Sequence, residues 1–341
     1  MSTNRLHPKN QLSAYLSLTR RHLKVFFKDI PTVIFTMMMP LTIFAVYLLF
    51  LRNLQVNQIQ DYFPGYNDLS TSLQQKICAL ADSWMISGVL GVSTVTVSLN
   101  CQHIMVKDKE NQLIRDTFSS PIEPNVVMFS YFTFNIIVSF LINLLVFFIS
   151  MIVLVCYNAF YISALNFFGL IGVLLYSSII GALFSFFISF FVNTEAVMSP
   201  IMAIVSAAIG FLVGAYLPCK MMPRTINNLT AFFPGTYSIG LFRTFLMGGQ
   251  IENIQQSLPP ENIPAFITTL KEQFNVFQNG EGNFYISITF FDVDVNPGYM
   301  SFALFVFGII YLGADLVALH FKRFWSINQN VLKKVKKKKE K

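Results

Sequence analysis

A dense group of ionisable side chains lies between two long apolar runs, in the segment Val106–Pro124. Lysines, carboxylates and an arginine crowd into a few helical turns, and charges at this density belong in water. Side chains of these types are suited to ion pairs and hydrogen bonds with another protein. Leu113, Ile114, Thr117 and Phe118 recur at i, i+1, i+4 and i+5, which predicts a narrow apolar face on an otherwise polar helix. We expect a helix over residues 106–120 that offers a docking surface.

Other residues that could do chemistry form no recognisable site. The sequence contains no GxxxxGK[ST] phosphate-binding loop and no Ser/His/Asp or paired-carboxylate constellation. The four cysteines lack CxxC spacing, and the four histidines are scattered (His7, His22, His103 and His320). We therefore expect no catalytic residue, no metal site and no cofactor in this chain. Cys78 and Cys219 could form a disulfide or remain unpaired small apolar residues.

The composition indicates a polytopic membrane protein. The 341 residues have a mean hydropathy of +0.56 and only 12% charged side chains, whereas soluble domains carry roughly 25%. Six segments approach or exceed the roughly 20 apolar residues that cross a bilayer. They are Thr32–Leu51 with a kink at Pro40, Trp84–Met105, Val126–Tyr157, Ala164–Val192, Val197–Leu217 and Tyr299–Phe321. The predicted fold class is an all-α membrane protein with five helices within residues 31–217 and a sixth at 299–321.

Lysine and arginine set the predicted orientation. With the N-terminus inside, 18 of the 24 Lys and Arg residues fall in inside segments. Both termini and residues 106–120 are then cytosolic, and the predicted location is the plasma membrane. Residues 1–30 are basic and amphipathic, which predicts an interfacial helix or a flank of the first span. The basic tail, residues 322–341, is interpreted as a topology anchor on anionic lipid rather than a nucleic-acid contact.

The outside part of the chain is predicted to be structured, because residues 218–298 are long for a loop. Met222–Gly249 is apolar but broken by prolines, which favours re-entrant helices over a span. Residues 250–298 are polar, and the alternation from Phe284 to Phe290 predicts a strand. A small extracellular insert follows from this pattern.

Two stripes of small side chains allow close helix contact. The second span carries Ser87, Gly91, Thr94 and Ser98 on one face, and the fifth carries Gly210 and Gly214. They fit packing within one subunit or a subunit interface beside a translocation path. Asp315 is the one acid well inside a span, where it has a structural role, pairing with Lys322 or His320, or an ion-coupling role.

In its order of elements, the chain resembles the permease subunits of type-2 ATP-binding-cassette exporters of the drug and polysaccharide class. The local match runs from Glu110-Asn111 to Ser120-Pro121, although Gln112-Leu113 replaces the usual Gly-Thr. Phe232-Phe233-Pro234 followed by Arg243 resembles the family's re-entrant motif.

The resemblance implies that this permease works with separate ATPase subunits and with a second permease subunit, as a homodimer or heterodimer. ATP and magnesium would bind on the ATPase, and spans two and five would line the dimer interface and path. The implied coupling residues are Lys109, Glu110, Leu113, Ile114, Arg115 and Phe118.

The sequence thus favours an ATP-driven exporter of an amphiphilic substrate, such as a drug, a lipid-linked molecule or a peptide. An ion-coupled secondary transporter is the alternative that Asp315 supports. A membrane anchor or sensor is the alternative that the insert supports. Membrane lipid is an expected partner of the permease, and nucleic acid is not.

Overall fold

The computed structural model describes residues 8–62, 66–215, 223–278, 284–291 and 293–339. Most of the chain is helical. The helices before the insert are α1 (Pro8–Lys28), α2 (Ile30–Val46), α3 (Arg52–Tyr62), α4 (Thr71–Cys101), α5 (His103–Glu110), α6 (Leu113–Phe118), α7 (Pro124–Cys156), α8 (Ala164–Phe191) and α9 (Glu195–Leu212). They are followed by α10 (Arg224–Thr230), α11 (Pro234–Ser257), α12 (Ile263–Phe274) and α13 (Pro297–Lys339).

Six helical stretches of the described residues are long and apolar enough to cross a membrane, which confirms the predicted number of spans. They are Ile30–Phe50, Thr71–Glu110, Pro124–Cys156, Ala164–Phe191, Glu195–Leu212 and Pro297–His320. The fourth begins at the predicted residue. The second begins at Thr71 instead of Trp84, because Gln, Lys, Leu and Ala before the apolar run are good helix formers.

The first span contains Pro40 within a continuous helix and then changes to a π-helix at Tyr47–Leu51. Beyond it, Arg52 pairs with the buried carboxylate of Asp82 through two hydrogen bonds of 2.8 and 2.9 Å. Tyr47 donates a third hydrogen bond to Asp82, at 2.9 Å. A buried carboxylate needs such partners, so this network fixes the first span against the second.

Helix α4 is the centre of the bundle. Nearly all of its apolar stretch is buried, and α2, α7, α8, α9 and α11 pack around it. Helix α11 extends to Ser257, so the predicted start of the insert at Gln250 lies inside this helix. Gln250 is buried and donates a hydrogen bond to the carbonyl oxygen of Ala159, which ties α11 to the turn between α7 and α8.

The insert contains α12 and two antiparallel hairpins. The first pairs β1 (Val276–Gln278) with β2 (Phe284–Ile286), and the second pairs β3 (Ile288–Phe290) with β4 (Val293–Val295). The one strand predicted from Phe284 to Phe290 is therefore two strands that separate at Ser287. The Ser287 N–H bonds to the carbonyl oxygen of Asn275, which lies opposite it in the register of the first hairpin, while its hydroxyl donates to the carbonyl oxygen of Val295 in the second. Ile286, Ile288 and Phe290 are buried, and β2 packs against α11.

We name the two ends of the helical bundle after the residues and elements that they contain. The basic end contains α1, α5, α6 and the turn between α8 and α9, and the insert end contains α3, α12 and the hairpins. Helix α13 continues from the sixth span through Lys339. Cys219 lies outside the described residues, so its pairing with Cys78 stays a prediction.

Candidate functional site

The charged segment at the basic end forms two helices instead of the single predicted helix over residues 106–120. Asn111 and Gln112 separate α5 from α6, and Gln112 has a φ of 63°. A side chain other than glycine rarely adopts this left-handed conformation. The backbone N–H of Gln112 bonds to the carbonyl oxygen of Lys109, which closes the turn at 3.1 Å. Helix α5 thereby continues the second span, while α6 takes a new direction.

Helix α6 divides its apolar residues between the bundle and the surface. Ile114 is only 6% exposed and lies in the same buried apolar cluster as Phe26 and Met128. Leu113 and Phe118 are 41% and 37% exposed. Arg115 is also exposed. We call Leu113, Arg115 and Phe118 the α6 surface; Ile114, predicted to belong with them, faces inward and holds α6 to the bundle.

The predicted coupling residues Lys109 and Glu110 contact the turn between α8 and α9. The Lys109 ammonium lies 2.5 Å from the carbonyl oxygen of Ser189 and 3.1 Å from that of Val192. These carbonyls end α8, where a cation is favourable because the last carbonyls lack helical partners.

Glu110, of opposite charge to Lys109, contacts the start of the next helix. Its Oε2 accepts a hydrogen bond of 2.9 Å from the backbone N–H of Glu195, the first residue of α9. An anion is favourable at a helix N-terminus. His103 lies 3.4 Å from the carboxylate of Glu195. We call Lys109 and Glu110 together the α5 clamp, because adjacent side chains of opposite charge hold the end of α8 and the start of α9.

Helix α5 is also joined to α1. The carboxylate of the buried Asp108 accepts hydrogen bonds of 2.8 and 3.3 Å from Arg21, and one of 2.5 Å from Tyr131. The pKa of the Arg21 guanidinium is raised, chiefly by its hydrogen bond to Asp108 and then by the attraction between the two charges. Sequence reasoning missed this pair, because the two residues are far apart in the chain and neither has a distinctive spacing.

His22 lies next to this ion pair and is completely buried. One ring nitrogen is 3.1 Å from the hydroxyl of Ser130, and the ring stacks on Tyr131 with 3.9 Å between centroids. Burial lowers the pKa of His22 to about 4, and the neighbouring charge of Arg21 adds to this effect. The imidazole is therefore neutral at pH 7.

The stripe on α4 is covered by the same subunit. Ser87, Gly91, Thr94 and Ser98 are all buried. A Cβ on Gly91 would lie 2.1 Å from Ile239 of α11, and one on Gly181 of α8 would lie 2.5 Å from the carbonyl oxygen of Thr94. Close packing between helices accounts for these small residues, and the stripe offers no exposed surface to a second subunit in this structure.

The two glycines of the fifth span both take part in ending helix α9. Gly214 lies just beyond the end of α9 with a φ of 67°. Its N–H bonds to the carbonyl oxygen of Phe211, and the N–H of Ala215 bonds to that of Gly210. This is the Schellman arrangement that ends a helix, and its left-handed residue is usually glycine. Gly210 is buried at the same helix end.

The predicted re-entrant motif forms the corner between α10 and α11. Phe233 precedes Pro234, the first residue of α11, where proline loses no helical hydrogen bond. Arg243 is buried, donates a hydrogen bond of 2.8 Å to the carbonyl oxygen of Gly214, and lies over the ring of Trp84 at 4.2 Å. Arg243 therefore connects α11 to the end of α9 and to α4.

These features define a class of protein. Six spans are combined with a helix at the basic end that exposes apolar residues and is clamped to the bundle. In the part of the chain that the structure describes, His, Cys, Asp and Glu form no group suited to a metal ion. The six spans define a multi-pass membrane protein.

The family model for the ABC-2 type transporter matches residues 13–247, which include the first five spans and the start of α11. The chain belongs to this family and is the permease subunit of a type-2 ABC exporter. The ABC-2 permease is the membrane component of its transporter and associates with an ABC ATPase subunit. No curated protein matches the chain.

Proposed function

We propose that this permease exports an amphiphilic substrate by alternating access, driven by a separate ATPase subunit that binds ATP and magnesium. The excess of Lys and Arg at the basic end supports a cytosolic location for this end and for both termini, with the six helices crossing the plasma membrane. The ATPase then docks on the basic end, where α1 and α6 lie.

The observation that carries the proposal is the α6 surface. Leu113 and Phe118 expose apolar side chains on a polar segment, while Ile114 anchors the same short helix. Apolar side chains surrounded by polar ones are typical of a protein–protein contact. Their place in the cytosol suits an ATPase better than lipid.

The α5 clamp and the Arg21–Asp108 pair supply the route for movement. A force on α6 reaches α5 through the Asn111–Gln112 turn. Helix α5 holds the end of α8 and the start of α9 through Lys109 and Glu110, and it holds α1 through Asp108. Closure of the ATPase dimer would therefore move three elements together, which suits a rigid-body change between inward and outward access.

The second permease subunit, identical or different, is proposed to contact α9. Unlike α4, α9 leaves most of its apolar stretch unburied, and its exposed residues include Ala203, Ile204 and Ala207. Small residues permit close approach of a partner helix. The path between two subunits would then be lined by α9 rather than by the buried stripe of α4.

The test is transport by the permease reconstituted in liposomes with the ATPase encoded beside it. ATP should drive a fluorescent amphiphile across the membrane, away from the side that holds α6. Omission of the ATPase should abolish this movement. Transport that runs on an ion gradient without the ATPase, and is lost in Asp315→Asn, would instead establish the ion-coupled alternative, which Asp315 favours because it has no hydrogen-bond partner among the described residues.

A further inference from the structure

Helix α1 carries a basic groove on the face that points away from the bundle. Its buried face, which includes His22 and Phe26, packs against α7. Arg20, Lys24 and Lys28 follow one another every four residues on the opposite face and are exposed. The groove is shallow, has a volume of about 330 Å³ and is lined by Ser17, Arg20, Arg21, Lys24, Val25 and Lys28. No acidic residue is among these lining side chains.

The positive charge of this groove is not balanced within the described part of the chain. Arg21 is held by Asp108 through two hydrogen bonds. The three other basic residues of the groove form no ion pair or hydrogen bond with the described residues. Asp29, which follows Lys28, accepts a hydrogen bond from a backbone N–H in the first turn of α2 and caps that helix. The groove therefore attracts an anion from outside the chain.

An apolar strip runs beside the groove on the same helix. It consists of Leu12, Leu16 and Phe27, which expose 61%, 59% and 48% of their surface. Leu16 lies one turn before Arg20, so the strip and the groove are neighbours. Phe27 lies one turn after Lys24 and continues this arrangement. A basic face next to an exposed apolar face is typical of a helix at the membrane surface, where apolar side chains reach the acyl chains and basic ones meet the headgroups.

The groove ends where the chain enters the membrane. Only Asp29 separates Lys28, the last residue of α1, from Ile30, the first residue of the first span. Ile30 and Phe35 expose 63% and 70% of their surface and therefore face lipid. Lys28 is then at the level of the lipid headgroups, whose phosphates border the hydrocarbon core.

We propose that this groove binds the phosphate group of an anionic phospholipid from the leaflet at the basic end. The phosphate oxygens contact Arg20, Lys24 and Lys28, and the acyl chains lie along Leu16 and Phe27. The lipid thereby holds α1 at the membrane surface. Binding at this groove is a property of the permease alone and does not depend on the ATPase or on transport.

A phospholipid suits the groove and the strip together, because it joins an anionic group to apolar chains. Free phosphate offers only the charge and would leave the apolar strip in water. Phosphatidylcholine carries a cation beside its phosphate, which the basic residues repel, whereas phosphatidylglycerol does not. An acidic surface of the ATPase would match the charge, but it would not match a strip that lies beside the first span.

The experiment labels the purified full-length permease in detergent with phosphatidylglycerol that carries a photoreactive group on its acyl chain. Mass spectrometry of peptides reports the labelling of residues 12–28 separately from that of other segments, including the basic tail. We expect residues 12–28 to be labelled. Unlabelled phosphatidylglycerol should compete about tenfold more effectively than phosphatidylcholine with the same acyl chains, because each Lys or Arg near an anionic surface contributes about fivefold. Glycerol phosphate, the soluble headgroup analogue, should not compete.

Three double variants locate the site. Lys24→Gln with Lys28→Gln should weaken the competition by phosphatidylglycerol about tenfold, whereas Lys24→Arg with Lys28→Arg should retain it. Lys9→Gln with Lys271→Gln removes two exposed lysines that do not line the groove and should behave as the wild type. Thermal melting identifies any variant that fails to fold.

The proposal is overturned if the two lipids compete equally, if glycerol phosphate competes as well as phosphatidylglycerol, or if the preference survives Lys24→Gln with Lys28→Gln. The same variant, if it keeps the lipid preference but loses the ATPase on co-purification, would assign the groove to the ATPase instead. A permease that shows the expected labelling but no ATP-driven transport would leave the lipid site standing while the exporter function fails.

Discussion

Glu110 accepts a hydrogen bond of 2.9 Å from the backbone N–H of Glu195, and this contact joins helix α5 to the first residue of the fifth span. Its neighbour Lys109 holds the carbonyl groups at the end of the fourth span. These two adjacent residues therefore contact both the end of the fourth span and the start of the fifth. In the function proposed above, this clamp passes movement of the exposed helix α6 to the two spans.

The clamp predicts an uncoupled variant. Lys109→Met removes the cation that satisfies the carbonyls of α8, a loss of about 2 kcal/mol for hydrogen bonds to a charged group. The permease should still assemble with the ATPase, because the α6 surface is unchanged, but ATP-driven transport should fall by more than the rate of ATP hydrolysis. The measurement is the ratio of transport to hydrolysis in proteoliposomes.

Lys107→Met is the matched control for this variant. Lys107 is exposed on the same helix and carries the same charge, so its removal should leave the ratio unchanged. If both variants reduce the ratio equally, the effect comes from the charge of the segment and the clamp is not the coupling element.

His22 predicts a pH dependence of stability at the basic end. Its pKa is lowered to about 4 by burial, against 6.5 in its unperturbed state. Between these values the unfolded chain binds the proton and the folded chain does not, so stability falls as the pH falls from about 6.5 to 4. A shift of this size corresponds to about 3 kcal/mol.

The measurement is the melting temperature in detergent between pH 7.5 and 4. His22→Gln should lose part of the acid-dependent decrease, although the substitution also lowers stability at neutral pH. His320→Gln removes an exposed histidine and should leave the decrease intact. An unchanged pH profile in His22→Gln would show that His22 is not its source.

We predict that adding a single methyl group at Gly214 lowers the stability of the fold. Its φ of 67° is unfavourable for alanine, by about 1 kcal/mol, so Gly214→Ala should lower the melting temperature and weaken the contact of Arg243 with the end of α9. Gly172→Ala is the control, since a Cβ there meets no atom within 4 Å. It should leave the melting temperature unchanged or raise it. Equal melting of the two variants would contradict the assigned role of Gly214.

The spans could be predicted because each needs a long apolar run, and such runs are visible without knowledge of the fold. Their polar extensions were harder to predict. Thr71–Ser83 reads as a loop by hydropathy, yet it continues α4 as a helix. The tight turn at Gln112 was also hidden, because glutamine gives no signal for a left-handed conformation.

Some roles of the site residues could likewise be predicted from local sequence, and others could not. The exposure of Leu113 and Phe118 follows from a local pattern, but the inward direction of Ile114 depends on where α1 and α7 lie. The roles of Lys109 and Glu110 as caps depend on a turn some 80 residues away. Gly214 did carry a local signal, because a glycine just after an apolar helix indicates a cap as readily as a packing stripe.

The central claim is that the α6 surface binds the ATPase. Its most direct test is co-purification of the ATPase with the permease that carries Leu113→Asp and Phe118→Asp, leaving the buried Ile114 in place. The control carries Leu54→Asp and Phe232→Asp, which alter residues that are 60% and 63% exposed outside the basic end. We expect the α6 variant to fold and insert but to lose the ATPase, while the control retains it. An α6 variant that retains a wild-type amount of ATPase and coupled ATP hydrolysis would contradict the account.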